Sequence, residues 1–194
     1  MIVLASKSPA RAQLLRSAGV AFSVQGSGVD ETPLKATWLA QQVAPAEIAD
    51  RLATAKAEAV AADGTGWVIG ADQTAEFEGR LLDKAVDGAE ALARLRAMRS
   101  KPHQLHSAVV LTDGTRTWRT VSTATLHVRA FSDAWLETYA REAGTALTAT
   151  VGGYELEGLG VQLFERIKGD YFAILGLPLT ELLGALRGFG ALPQ

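Results

Sequence analysis

Short β-branched runs alternate with amphipathic helical stretches through the first half of the chain, and this alternation leaves few folds open. An apolar run from Ile2 to Ala5 leads into a helix predicted over Pro9 to Ala18. Ser8 is placed to cap its amides, Pro9 suits the first helical position, and Leu14, Leu15 and Ala18 form an apolar face before Gly19. A strand over Phe22 to Gln25 follows, then a long helix from about Pro45 to Ala62 with Ile48, Leu52, Ala55 and Ala59 on one face. Trp67 to Ala71 reads as a strand ending in "GADQT", and "EFEGRLLD" as a hairpin turning at Gly79. Asp87 and Glu90 make a capping box for a helix carrying Leu92, Leu95 and Met98. Two longer strands, His103 to Thr112 and Thr117 to Phe131, meet at Asp113-Gly114, a strong turn signal that predicts an antiparallel ribbon. Ser132 caps a helix through Tyr139, the glycine-rich "VGGYELEGLG" follows, and a helix over Pro178 to Arg187 comes last. The mixture predicts an α/β or α+β fold with a mixed sheet and helices on its faces. Ligands in such folds bind beyond strand ends, near helix N-termini.

At 194 residues, 48% of them hydrophobic, the chain is long enough to bury its own core as one domain over residues 1–194, with room for a small second lobe. The formal net charge of −2, with no segment rich in lysine and arginine, excludes a general nucleic-acid binder while allowing a local basic pocket. The absence of cysteine excludes disulfides, thiolate metal sites and cysteine nucleophiles. No apolar run reaches the ~18 residues of a membrane span, and Met1 to Ala5 is too short for a signal peptide, so a soluble cytoplasmic protein is expected.

Several polar residues interrupt apolar stretches: Arg11, Asp30-Glu31, Lys56, Asp72, Lys84 and Glu157. Taken singly, Lys56 reads as a solvated helix residue, Asp30-Glu31 as a turn before Pro33 and Lys84 as part of a charged loop. Asp72 is different, because it ends the apolar run "WVIGAD" at the rim of a sheet, where a carboxylate costs free energy unless it meets a metal or a donor. Glu31 and Asp72 together suit a hard cation such as Mg²⁺, while Arg11, Lys56 and Lys84 would neutralise a phosphate chain. The turn at Ser6, before a helix with free amides, is also a place where a phosphate binds. These groups make phosphoryl or nucleotidyl hydrolysis the natural reaction class. Neither a phosphate-loop motif nor a dinucleotide fingerprint is present, although "GLG" at Gly158 to Gly160 superficially resembles part of the latter. His103 and His106 fall on opposite faces of a predicted strand and His127 lacks a partner, so a histidine metal site is rejected. Trp38, Trp67, Trp118 and Trp135 are scattered and read as packing residues.

Seven segments in order, "LASKSPARAQLL", "VDETP", "LATAKA", "GADQT", the lysine of "LLDKA", "VGGYELEGLG" and "IKGDYFAILGLPLTELL", resemble the Maf family of nucleoside triphosphate pyrophosphatases over nearly the whole chain. The resemblance implies an elongated α/β fold with a cleft between two lobes, often a homodimer, related in architecture to the inosine triphosphate pyrophosphatases. It implies Mg²⁺- or Mn²⁺-dependent hydrolysis between the α and β phosphates of non-standard or surplus nucleotides. By the same resemblance Asp72 is the base that activates water, beside the metal, and Glu31 is a metal ligand. Ser6, Arg11, Lys56 and Lys84 occupy phosphate-binding positions.

Two departures stand out: Ser8-Pro9-Ala10-Arg11 keeps one of the family's two arginines, and Asp83-Lys84-Ala85 keeps the lysine of Gly-Lys-Pro. Members that prefer dTTP and UTP resemble one another in arginine, threonine and glutamine at the positions of Ala10, Gln73 and Glu157. Members that prefer 7-methyl-GTP are similar in tryptophan, glutamine and glutamate there. Gln73 and Glu157 point to the second group, and a carboxylate accepts from both N1–H and the exocyclic amine of guanine while repelling uracil carbonyls. Ala10 supplies no aromatic plane for a cationic base. A purine-type or modified substrate is expected. The alternatives are a pyrimidine-type or broad pyrophosphatase and, in another class, a non-catalytic regulator of septum formation.

Overall fold

The computed structural model describes residues 1–61, 64 and 66–194. In chain order the elements are β1 (Ile2–Leu4), α1 (Pro9–Ser17), β2 (Ser23–Val24), α2 (Glu31–Ala40), α3 (Pro45–Ala61), β3 (Trp67–Phe77), β4 (Arg80–Leu82) and α4 (Gly88–Met98). Then follow β5 (Pro102–Thr112), β6 (Thr117–Val128), α5 (Asp133–Ala143), α6 (Ala146–Ala149), a 3-10 helix (Leu159–Leu163), β7 (Phe164–Lys168), α7 (Tyr171–Ile174) and α8 (Leu179–Gly188). The strands form one mixed seven-stranded sheet in the order β2-β1-β3-β5-β6-β7, with β4 paired to β3. The expected α/β class with a mixed sheet is therefore what the chain adopts. The fold divides into two compact units, residues 1–73, 106–123 and 170–194 in the first and 74–105 and 124–169 in the second.

In the first unit β1 lies between β2 and β3, parallel to both, with Val3 opposite Ser23 on one side and Val68 on the other. Parallel strands are covered on both faces, and alternate residues of β1 and β3 accordingly enter two cores. Leu4 and Ile69 join Leu15 of α1, Val109, Leu111, and Leu182 and Leu186 of α8. Val3, Ala5 and Val68 face Ala49, Ala53 and Ala57, a small-residue stripe on α3. Gly70 completes that contact, because a Cβ there would stand 2.2 Å from the Ala53 carbonyl oxygen. The absence of a side chain lets α3 lie against β3, and this close approach carries Lys56 toward the middle of the strand.

In the second unit β3 turns into β4 through Glu78 and Gly79, with φ of 51° and 76°, as a two-residue turn matched to strand twist requires. Helices α4 and α5 contribute the fully buried Leu95, Met98 and Leu136. His103 is buried, with Nε2 2.6 Å from the Tyr154 hydroxyl, and burial drives its pKa down to about 4. His106 pairs with Thr123 in the first unit, and His127 lies 3.2 Å from an Arg166 nitrogen in the second.

Four expectations need correction. Asp30 and Glu31 do not make a simple turn: the Asp30 carboxylate accepts from Thr32 N at 3.2 Å and caps α2. Pro33 is compatible with this start because the first-turn amides of a helix have no intrahelical acceptor. Strand β3 does not stop at Ala71 but runs through Asp72 to Phe77, so Asp72 lies within a strand and not at its end. Strand β2 shrinks to Ser23–Val24, and α5 continues to Ala143. Helix α3 ends at Ala61 in the described residues, and Ala62, its expected end, lies outside them. Among the described residues no helix is long and apolar enough to cross a membrane.

Candidate active site

The site begins at the turn from β1 to α1. Ser8 is extended, with ψ of 120°, and its Oγ accepts from Arg11 N at 3.4 Å, while Pro9 opens the helix. Ser6 Oγ accepts from Ser8 N at 3.2 Å and from Arg11 Nη1 at 3.1 Å. Arg11 Nη1 also donates to Ala71 O at 2.8 Å, and Nε donates to Gly176 O at 2.8 Å. Arg11 is only 9% exposed, so its charge sits inside the unit, fastened to main-chain carbonyls of β3 and of the segment after α7. Burial lowers its pKa, against the attraction of Asp72 and Glu31.

Lys56 Nζ lies 2.5 Å from an Asp72 carboxylate oxygen and 2.7 Å from Glu31 Oε1. Lys56 is 8% and Asp72 6% exposed, and the two reach one another from α3 and β3 because of the Gly70 contact. Glu31 is more open and sits in the first turn of α2, where the helix dipole favours a negative charge. Burial pushes the Asp72 pKa up, and the nearby Glu31 charge adds to this, outweighing Lys56 and Arg11. For Glu31 burial acts upward too, but the Lys56 hydrogen bond and charge, with Lys35 and Arg11, hold it below its ordinary value. Two neighbouring carboxylates thus have proton affinities driven apart, as acid–base sites require.

Gln73, the next residue on β3, is held from another side. Its Nε2 donates to Ser107 Oγ at 2.8 Å and toward the Ala173 and Ile174 carbonyls at 3.1 and 3.0 Å.

The first unit therefore brings together Ser6, Arg11, Glu31, Lys56, Asp72 and Gln73 from the sequence-predicted set. Ala10 is exposed in the first turn of α1. Lys84 is exposed after β4, and Glu157 is exposed before the 3-10 helix, both in the second unit. Sequence reasoning missed Lys35, 3.9 Å from Glu31, although the i,i+4 spacing was available once α2 was recognised. It also missed Ser107, a buried strand residue with no motif around it. Among the described residues no group of three or more His, Cys, Asp or Glu is arranged around a metal position. The donor set is instead two carboxylates meeting at one ammonium, which suits a hard cation that takes its remaining oxygens from phosphate and water.

An α/β unit with a buried aspartate, lysine and arginine gathered at its first strand-to-helix turn defines a class of proteins with a charged site inside a doubly covered sheet. The chain belongs to the Maf family: the family model described as "Maf-like protein" matches residues 1–189. Relatives include the "Nucleoside triphosphate pyrophosphatase" of Caulobacter vibrioides, 55% identical over 192 residues that cover 98% of this chain and 96% of that one. The protein of the same name from Maricaulis maris is 50% identical, covering 99% and 98%. The "7-methyl-GTP pyrophosphatase" of Rhizobium meliloti is 43% identical, covering 99% and 98%.

Proposed function

We infer that the chain is a nucleoside triphosphate pyrophosphatase that adds water across the α–β anhydride, giving a nucleoside monophosphate and pyrophosphate. The observation that carries this reading is the buried Asp72, raised in proton affinity and sharing Lys56 with Glu31. The names and full-length similarity of the relatives support it.

In this reading Lys56, Arg11, Ser6 and Lys84 bind and orient the triphosphate. Arg11 does so in a particular way, because its bonds to Ala71 and Gly176 are already made and its contribution is a fixed positive field rather than a mobile clamp. Asp72 receives the proton of the attacking water as the anhydride oxygen departs with pyrophosphate. Glu31 and Asp72 would hold Mg²⁺ or Mn²⁺, which supplies neutralisation of the developing phosphate charge when bound. Lys56, whose ammonium lies against both carboxylates, would supply positive charge beside the phosphates.

Gln73 and Glu157 favour a purine-type or modified base, 7-methyl-GTP above all, although Ala10 offers no aromatic plane to a cationic base, and the name of the Rhizobium meliloti relative supports that direction. A cytoplasmic enzyme, working as a homodimer, completes the reading. The pairing of two carboxylates with cations favours it over a non-catalytic regulator, which has no need of a carboxylate opposed to phosphate. The deciding experiment is Asp72→Asn: pyrophosphate release from a panel of triphosphates with Mg²⁺ and with Mn²⁺ is expected to disappear while the circular dichroism spectrum is kept. Undiminished turnover in that variant rules the assignment out.

A further inference from the structure

Lys84 stands on the segment between β4 and α4, and in the second unit that segment is gripped at both ends from α4. Asp87 caps the helix, its carboxylate accepting from Glu90 N at 2.8 Å. In the usual reciprocal cap the third helical residue returns its carboxylate to the main-chain amide of the capping residue. Glu90 reaches one residue further back, to Val86 N at 2.8 Å, and so holds the incoming segment. Its other carboxylate oxygen accepts from Arg94 Nη2, one helical turn on, and Arg94 Nη1 donates to the main-chain carbonyl of Asp83. Between these two ties lie Lys84 and Ala85. Ala85 is buried and Lys84 exposed, so the segment is seated on its alanine and leaves the lysine to solvent. Glu90 and Arg94 are themselves partly exposed, and ion pairs of this kind add little to global stability. What they govern is the conformation of the few residues they enclose.

We propose that Glu90 and Arg94 are positioning residues that hold the segment from Asp83 to Val86 in one conformation and so present Lys84 to the substrate's phosphates with its main chain already placed. A lysine on a free segment has to order its backbone as well as its long side chain when it meets an anion, and that loss of freedom weakens binding. With the backbone fixed beforehand, the side chain alone remains to be ordered. The proposal rests on the pyrophosphatase reading for what Lys84 meets, and on the geometry alone for the grip.

A double-mutant cycle on the full chain tests it. Glu90→Ala and Arg94→Ala are each expected to raise KM for GTP about fivefold, with kcat and the urea midpoint little changed. In a chain that already carries Lys84→Ala, the same substitutions are expected to add nothing. An unchanged KM in either single variant, or effects that add in full to that of Lys84→Ala, overturns the proposal. The amide proton of Val86, followed by NMR, is expected to exchange with solvent several-fold faster in Glu90→Ala than in the wild type, and Glu90→Gln, which keeps an acceptor, is expected to restore most of the protection. Exchange that Glu90→Ala leaves unaltered overturns the grip itself. A wild type that cleaves no nucleoside triphosphate overturns the pyrophosphatase reading and the duty of Lys84 with it, while exchange at Val86 still decides the grip.

Discussion

Arg11 and Gly176 are joined by a 2.8 Å hydrogen bond from Nε to the main-chain carbonyl, across 165 residues of sequence. A lysine keeps the charge but lacks the planar fork that serves Gly176, Ala71 and Ser6 together. Arg11→Lys is expected to lower stability by ~2 kcal/mol, the cost of stranding a buried acceptor, and kcat/KM by tenfold or more. Urea denaturation and pyrophosphate assays check the two effects, and a variant equal to wild type in both would show that the fork is dispensable.

The raised pKa of Asp72 sets the pH behaviour. Its charged form is the proton acceptor, so kcat/KM is expected to rise with pH along a limb lying above the ordinary aspartate value of 3.8. Lys56 opposes the rise, and Lys56→Met is expected to move the limb still higher, besides lowering the maximum rate. A limb that shifts downward, or not at all, contradicts the assignment of Asp72.

Stability carries the opposite signs for the two carboxylates. Asp72 has a raised folded pKa, so its contribution to folding is most favourable below its unfolded pKa and is lost as pH rises through the folded value. Glu31 has a lowered folded pKa, so its contribution is present above its unfolded value and is lost as pH falls through the folded one. In urea melts Asp72→Asn is therefore expected to gain on wild type as pH rises, whereas Glu31→Gln is expected to lose ground over the same direction.

Gly70→Ala tests the origin of the site's geometry. The new methyl would meet the Ala53 carbonyl at 2.2 Å and Ala57 N at 2.8 Å, and main chain has little room to give. A loss of ~3 kcal/mol is expected from overpacking, with weakened hydrolysis as Lys56 is carried away from Asp72. Unaltered stability would mean that α3 is not seated as described.

Ala10→Trp addresses the base. An aromatic plane beside a cationic methylated purine is worth ~1 kcal/mol, so a several-fold gain for 7-methyl-GTP over GTP is expected in kcat/KM. No change in that ratio would separate Ala10 from base recognition.

Much of this fold was legible because local signals and burial agree. Ser8-Pro9, the Asp87–Glu90 pair and the Glu78-Gly79 turn each solve a backbone problem with residues close in sequence, and the structure uses them so. Helix α2 was hidden because it has no buried residue and hence little periodicity to read. The length of β3 was hidden because a charged residue inside a strand looks like its end, and only the approach of Lys56 and Arg11 explains how Asp72 is accommodated there. The site divides in the same way. Asp72 announced itself by interrupting an apolar run, whereas the duty of Arg11 toward Gly176 and that of Ser107 toward Ala173 depend on partners far along the chain.

The footing of the two carboxylates differs, and this has a mechanical consequence. Asp72 stands on a strand covered on both faces, while Glu31 stands on a helix held by its ion pair with Lys56 and by Arg51 lying 5.5 Å from the Trp38 ring centre, with no residue fully withdrawn from water. Charge interactions of that kind weaken as salt screens them, and apolar burial does not. Ionic strength therefore acts more on the open Glu31 end of the carboxylate pair than on the buried Asp72–Lys56 pair, making α2 the part of the site that gives way first.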